Sequence, residues 1–132
     1  MNKIVAHFQD GRLLKGFTTD FLPAKDRFHV VAEGQAVGTK PLEVRVGDLK
    51  ALFFVRTFEG NPAHHDSVDA TSGRAGAGRG IRVVFRDGEV MAGTTQGYDK
   101  SRPGFWLTPA DPASNNERCF VVAAATQEVS FI

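Results

Sequence analysis

One loop of the sequence combines basic side chains with a nearby tryptophan, an arrangement suited to binding a ligand. In the stretch DKSRPGFW, Lys100, Ser101 and Arg102 stand shortly before Trp106. An Arg or Lys beside an aromatic ring can stack on a base or a nucleotide. The alternative interpretation is that Trp106 packs in the core or between two parts of the fold, as large rings commonly do.

A second polar stretch, TPADPASNNERCF, occupies residues 108–120. The amides and charges of Asn115, Asn116, Glu117 and Arg118 suit a surface loop that grips a partner. Asn side chains also cap turns and bond to the backbone, which gives the two asparagines a structural alternative. We take Asn115, Asn116 and Arg118 as candidate partner-binding residues, together with Lys100, Arg102 and Trp106.

The sequence pattern does not suggest an active site. Asp10 and Asp87 could form a carboxylate pair for acid–base catalysis, but each directly precedes a glycine, and Asp-Gly is typical of a turn. The stretch HHDS places a serine beside His64 and His65, in a segment without the rigid support that a nucleophile needs. The sequence therefore predicts that the protein is not an enzyme and has no catalytic residue.

Metal and cofactor sites are not indicated either. The four histidines show no metal-ligand spacing, and the single cysteine, Cys119, excludes an intramolecular disulfide and a multi-cysteine metal site. The stretch GRAGAGRG could cradle a phosphate, but it lacks the Lys-Ser/Thr pair of a P-loop and precedes a strand-like run. We expect no metal and no cofactor.

Composition bounds the class of protein. The chain has 132 residues, 42% of them hydrophobic, and a formal net charge of +1. This balance is typical of a globular protein and provides no basic stripe for nucleic acid. Because no apolar run is long enough to span a membrane and the N-terminus lacks the apolar core of a signal peptide, we expect a cytoplasmic location.

The sequence contains an internal duplication. With a shift of 77 positions, residues 4–55 align with residues 81–132 without a gap. The identical pairs are Ile4/Ile81, Phe8/Phe85, Asp10/Asp87, Gly11/Gly88, Gly16/Gly93, Thr18/Thr95, Phe28/Phe105, Val44/Val121 and Phe54/Phe131. Between the copies lies a stretch rich in Gly, Ala and Ser that predicts a flexible linker. The predicted division is a repeat at 1–58, a linker at 59–78 and a repeat at 79–132.

Each copy predicts five short strands. The first two are separated by Asp-Gly, a strong hairpin signal that indicates a tight type I′ turn. A glycine in the second strand indicates a bulge or sharp bend, as at the corner of a small barrel. The predicted structural turn residues are Asp10, Gly11, Gly16, Asp87, Gly88 and Gly93. Closure of each copy into a small barrel would hide its edges, so we predict an all-β fold of two tandem five-stranded barrels.

The pattern of a strand, Asp-Gly, a strand with glycine and then an aromatic residue resembles the first motif of Sm-like domains. The motif residues are Phe8, Asp10, Gly11, Leu13, Gly16 and Phe21, and in the second copy Phe85, Asp87, Gly88, Val90, Gly93, Tyr98 and Asp99. The resemblance covers about 25 residues per copy and implies small bent barrels of the SH3-like type. The chain is also similar to uncharacterised bacterial domains that contain stretches like GFWLTPAD and SNNERCFVV.

The RNA-binding signature of Sm-like domains is mostly missing. The first copy has Leu22 where those domains place an Asp, and the second keeps Asp99 but lacks the following Asn. VRVGD and VVAAA stand where Ile-Arg-Gly would be expected. The resemblance therefore implies the barrel and leaves Asp99 as a candidate binding residue.

These observations favour a non-catalytic binding module, a protein-interaction or regulatory adaptor of the bacterial cytoplasm. Free sheet edges would allow strand addition by a protein partner, or oligomerisation through strand-edge pairing. The alternative is an Sm-like binder of RNA or nucleotide, whose affinity would fall steeply with salt. We further expect Phe17, Phe53 or Phe58 to seal a contact between the two copies, and no association with membranes.

Overall fold

The computed structural model describes residues 1–36, 38–60, 78–111 and 113–132, and the predicted all-β fold is confirmed. Most of the predicted linker lies outside these residues. Within them the chain forms ten antiparallel strands. The strands are β1 (Asn2–Phe8), β2 (Leu13–Thr18), β3 (Arg27–Ala32), β4 (Leu42–Arg45), β5 (Leu49–Val55), β6 (Arg79–Phe85), β7 (Val90–Thr95), β8 (Gly104–Pro109), β9 (Asn116–Val122) and β10 (Thr126–Phe131).

The strands β6 to β10 follow β1 to β5 at the same sequence shift of 77 positions that aligns the two copies. The bounds of β1, β2 and β3 coincide with those of β6, β7 and β8 after the shift. Single 3-10 turns, Val46–Asp48 and Ala123–Ala125, occupy equivalent places before the last strand of each copy. We call β1–β5 the first repeat and β6–β10 the second repeat.

All ten strands join in one open sheet. Their order is β10-β6-β7-β8-β9-β5-β1-β2-β3-β4, so β5 and β9 connect the repeats and β10 and β4 are the outer strands. Two separately closed barrels were predicted, whereas this hydrogen-bond ladder closes neither repeat. Strand β4 has four residues and pairs only with β3 among the described strands, so the first repeat stays open on that side.

The two repeats share their hydrophobic cores. The first core consists of Ile4, Ala6, Phe28, Val30, Val44, Val46, Leu49, Leu52 and Phe54, joined by Phe120 and Val122 of the second repeat. The second core consists of Ile81, Val83, Phe85, Phe105, Leu107, Cys119, Val121 and Ala125, joined by Val5, Ala51, Phe53 and Val55 of the first repeat. Because successive side chains of a strand point to opposite faces, β5 supplies both cores and all seven of its residues are buried.

The Asp-Gly hairpins are present, but their turns differ from the predicted type I′. Gly11 and Gly88 have φ of +94° and +92°. Among the described residues, only glycines have positive φ. The N–H of Gly11 donates to the carbonyl of Phe8, and the N–H of Phe8 donates to Arg12. A type I turn followed by one left-handed glycine gives this pattern, and the extra residue makes a small bulge. A type I′ turn would also need positive φ at the aspartate.

No part of the chain that the structure describes forms a helix with the length and apolar character needed to cross a membrane. Of the aromatic residues expected to seal the repeats, Phe53 belongs to the second core and Phe58 packs against it. Phe17 meets Phe58 edge to face, with ring centroids 5.3 Å apart.

Candidate functional site

A cleft of about 560 Å³ opens where the β7–β8 loop of the second repeat faces the β2–β3 loop of the first. Its volume is typical of sites for small molecules. The first repeat contributes Pro23 and Ala24 to its lining. The lining residues of the second repeat include Tyr98, Asp99, Arg102, Phe105, Trp106 and Phe120. Three of the predicted binding residues therefore line one cleft between the repeats.

The β7–β8 loop is held in shape by Asp99. Its Oδ1 accepts hydrogen bonds from the N–H and the hydroxyl of Ser101, at 2.9 and 2.7 Å. These two bonds, with the nearby charge of Arg102, lower the pKa of Asp99 below its usual value. The guanidinium of Arg102 donates no hydrogen bond to any residue in the described ranges. Its donors at the rim of the cleft are therefore available to an anion.

Trp106 lies half-buried at the junction of the repeats, as the structural alternative predicted. Its ring contacts the rings of Phe21 and Phe120 edge to face, at centroid distances of 5.8 and 5.3 Å. The guanidinium carbon of Arg118 lies 4.4 Å from the Trp106 ring centroid and 4.5 Å from that of Phe54. Arg118 therefore bridges an aromatic pair from the two repeats by cation–π contact.

Asn115 joins the repeats through hydrogen bonds. Its Oδ1 accepts from the N–H and the hydroxyl of Thr57, and its Nδ2 donates to the carbonyl of Thr57 at 2.8 Å. Asn116 starts β9, where its N–H donates to the hydroxyl of Ser114. Lys100 is exposed in the β7–β8 loop, outside the cleft lining. The structure thus brings Asp99, Arg102 and Trp106 together. The side chain of Asn115 holds the backbone of Thr57, whereas Asn116 takes part in this region through its backbone N–H.

An ionic contact between the repeats was missed by the sequence analysis. Lys50 is the second residue of β5, and only 11% of its side chain is exposed. Its Nζ donates to Asp87 Oδ2 at 2.7 Å and to Glu89, and it lies 4.7 Å from the Phe85 ring centroid. Burial alone would lower the pKa of Lys50, but its hydrogen bonds to the two carboxylates outweigh burial and raise it. The sequence feature that could have indicated this contact is a single lysine within the apolar stretch LKALFFV.

The pKa of Asp87 is expected to depend on Lys50. The hydrogen bond from Lys50 is the largest cause of its lowered pKa, followed by the N–H of Glu89. Above the ordinary value of 3.8 the charged form stabilises the fold, and this contribution is lost as the pH falls through the lowered folded pKa. In Lys50→Met, carboxyl NMR titration should show the pKa of Asp87 moving up towards 3.8.

Asp10 supplies the control for this titration. It occupies the same turn in the first repeat, and its pKa is lowered by hydrogen bonds from the backbone and side chain of Arg12. The Lys50→Met change should therefore leave the Asp10 titration as it is. An unchanged Asp87 titration would contradict the assignment of Lys50 as its main partner.

Comparison with known proteins gives a family and no function. No curated protein and no solved structure matches the chain. One family model matches it across residues 1–132, and its description is a family of unknown function, DUF6982. The predicted similarity to uncharacterised domains agrees with this match, and the Sm-like resemblance stays a prediction. The chain belongs, over its whole length, to the DUF6982 family of unknown function.

Proposed function

We propose that the protein is a non-catalytic binding module, an adaptor that takes up an extended segment of a partner protein along the outer edge of β10. The observation that supports this proposal is a contrast between equivalent strands. Strand β5 has both edges paired, with β1 and β9, and all seven of its residues are buried, whereas β10 pairs only with β6 among the described strands. Its Gln127, Glu128 and Phe131 are exposed.

The free edge of β10 has unpaired backbone groups. The N–H of Ile132 donates to the carbonyl of Gly80 in β6. Since hydrogen-bonding direction alternates along an antiparallel strand, Ser130 also faces β6, and Val129 and Phe131 turn their N–H and C=O groups outwards. Such a row of groups can accept a further strand, with backbone bonds providing affinity and alternate side chains providing specificity.

The opposite edge of the sheet is better protected. Strand β4 follows Pro41 and carries Glu43 and Arg45, and Glu43 forms an ion pair of 3.0 Å with Arg27. Proline, charge and short length are devices that keep edge strands from pairing. Strand β10 has neither proline nor lysine. We therefore assign the partner to β10.

The finer fold assignment, two small barrels of SH3-like or Sm-like type, is part of this proposal. It is supported by the identical strand order of the repeats, β4-β3-β2-β1-β5 and β9-β8-β7-β6-β10. In this interpretation each repeat is an opened barrel, and β5–β9 pairing replaces closure at the junction. The second repeat then keeps one edge for a partner.

Proline substitution tests the edge. Peptides are selected on the wild-type protein from a phage-displayed random library and titrated by NMR. We expect bound peptide to protect the amides of Val129 and Phe131 from hydrogen exchange. Val129→Pro removes one outward N–H and should weaken binding about tenfold, the worth of one good hydrogen bond.

Glu43→Pro is the matched control at the other edge. The N–H of Val46 donates to Asp26 before β3, so by alternation the N–H of Glu43 points away from β3. This variant should bind the selected peptides like the wild type. Equal affinity of all three proteins, or protection confined to residues outside β10, would refute the edge proposal.

A second candidate, nucleotide or RNA binding, is favoured by the cleft. Arg102 there offers free donors beside Tyr98 and Trp106, which suits a phosphate next to a stacked base. Titration with AMP should then perturb Trp106 fluorescence, and the affinity should fall with salt and in Arg102→Gln. A response of this kind without peptide binding at β10 would favour this candidate over the adaptor.

A further inference from the structure

We propose that charged side chains at the two outer strands, β10 and β4, prevent a second molecule from repeating there the contact that β5 and β9 make between the repeats. We call the surfaces at β10 and β4 the outer faces of the sheet. The protein is then a self-terminated monomer, and β10 stays available to a strand that is not its own β4. This inference does not depend on whether a peptide binds β10. It rests on a comparison of equivalent residues at the inner and outer faces.

The repetition of the fold makes continuation geometrically available. Strands β10 and β4 are the equivalents of β5 and β9, which pair at the junction of the repeats. If β10 of one molecule paired with β4 of another, the junction would be repeated head to tail. Such heterologous contacts produce rings or open filaments.

On the β10 side, charged or polar residues replace the side chains that the first repeat lends to the second core. Val5, Ala51 and Phe53 are buried in that core. Their equivalents are Arg82, Glu128 and Ser130, of which the two charged residues are exposed. Burying an uncompensated charge is costly, so this face resists the same contact. Ile132, the equivalent of Val55, is the exception.

The β4 side shows the same replacement. Trp106, Phe120 and Val122 pack against or within the first core. Their equivalents are His29, Glu43 and Arg45, all exposed. His29 Nδ1 lies 2.7 Å from Asp20 Oδ2, and Glu43 pairs with Arg27. Burial of this face would remove these pairs from water, where they are best solvated.

The specific polar contacts of the junction are also missing from the outer faces. The equivalent of Lys50 is the neutral Gln127. The equivalents of its two carboxylate partners, Asp87 and Glu89, are Asp10 and Arg12, which pair with each other at 2.7 Å.

The stacked arginine of the junction has no counterpart either. The equivalent of Arg118 is Pro41, and the equivalent of Phe54 is Phe131, which Arg79 already covers at 3.9 Å. A continued contact would therefore lose the ionic bridge and the cation–π bridge of the inner one.

Two complementary variants test the proposal. The β10-face variant carries Arg82→Val, Glu128→Ala and Ser130→Phe, and the β4-face variant carries His29→Trp, Glu43→Phe and Arg45→Val. Each restores one inner face and keeps the other face charged. We expect native mass spectrometry to show the wild type and each variant alone as monomers. Mixing the variants should produce a heterodimer at a fraction at least about tenfold above that of mixed wild type.

Three outcomes would overturn the proposal. The first is a wild-type ring or dimer that Val129→Pro or Glu43→Pro dissociates. The second is mixed variants that stay monomeric although circular dichroism shows them folded. If a triple variant fails to fold, the single variants Glu43→Phe and Ser130→Phe are mixed in place of the triple variants. The third outcome is that this mixture shows no more heterodimer than mixed wild type. A monomeric protein that binds no peptide would leave this inference standing while the adaptor proposal fails.

Discussion

Gly93→Ala is expected to destabilise the protein by at least about 3 kcal/mol, at the upper end of the cost of overpacking a core. A Cβ atom on Gly93 would lie 2.0 Å from the carbonyl oxygen of Thr108 and 2.9 Å from Leu107 Cδ2. Strands β7 and β8 are antiparallel neighbours here, and Gly93 lies opposite Pro109. Because the nearest atom belongs to the backbone of Thr108, the added methyl group could be accommodated only by a shift of the backbone. A flexible side chain in that place could have moved aside.

Gly47→Ala is the matched control for this experiment. Gly47 lies in the 3-10 turn before β5, and a Cβ there meets no atom within 4 Å. We expect its free energy of unfolding to stay within about 0.5 kcal/mol of the wild-type value. Urea denaturation followed by circular dichroism measures both variants. A Gly93→Ala protein as stable as Gly47→Ala would contradict the close approach of β7 and β8.

Leu52→Ala and Phe53→Ala are each expected to cost about 3 kcal/mol or more, since both side chains are buried in β5. The two neighbours point to opposite cores, Leu52 to the first and Phe53 to the second. Because β5 belongs to both cores, the protein should unfold in one transition, and either substitution should shift that whole transition. If the repeats were independent domains, each substitution would destabilise only the domain whose core it alters.

Hydrogen exchange distinguishes these outcomes. In Leu52→Ala, slowly exchanging amides of β1 in the first repeat and β7 in the second should lose protection together. Loss confined to the first repeat would show that the repeats are separate folding units. In that case the predicted repeats, residues 1–58 and 79–132, would also unfold as two separate units.

The local elements of the fold were predictable because their causes are local. Asp10 and Asp87 each accept an N–H two residues ahead, which is the ordinary behaviour of an aspartate in a turn. Short runs of β-branched and aromatic residues ending at Asp-Gly predicted the first strands. The glycines predicted to mark a bulge or sharp bend lie in β2 and β7 where another strand comes close, and the pairing of these strands with β1 and β6 has no register shift there. The turn type was wrong because the Asp-Gly pair fits both a two-residue turn and a type I turn with a glycine bulge.

The candidate site was only partly predictable. The approach of Asp99, Arg102 and Trp106 followed from their closeness in the sequence. The roles of Asn115 and Arg118 did not, because their partners Thr57 and Phe54 lie in the other repeat.

The sequence by itself determined an all-β chain of two equivalent copies, since the strand preference of β-branched and aromatic residues and the turn chemistry of Asp-Gly act over a few residues. Only the tertiary structure decided that β5 pairs with β9 and that the two cores share side chains. Backbone N–H and C=O groups are alike at every strand edge, so they do not specify which edges meet. That choice depends on which faces are apolar when the chain is folded, and on ion pairs such as Lys50 with Asp87 that form only across the junction.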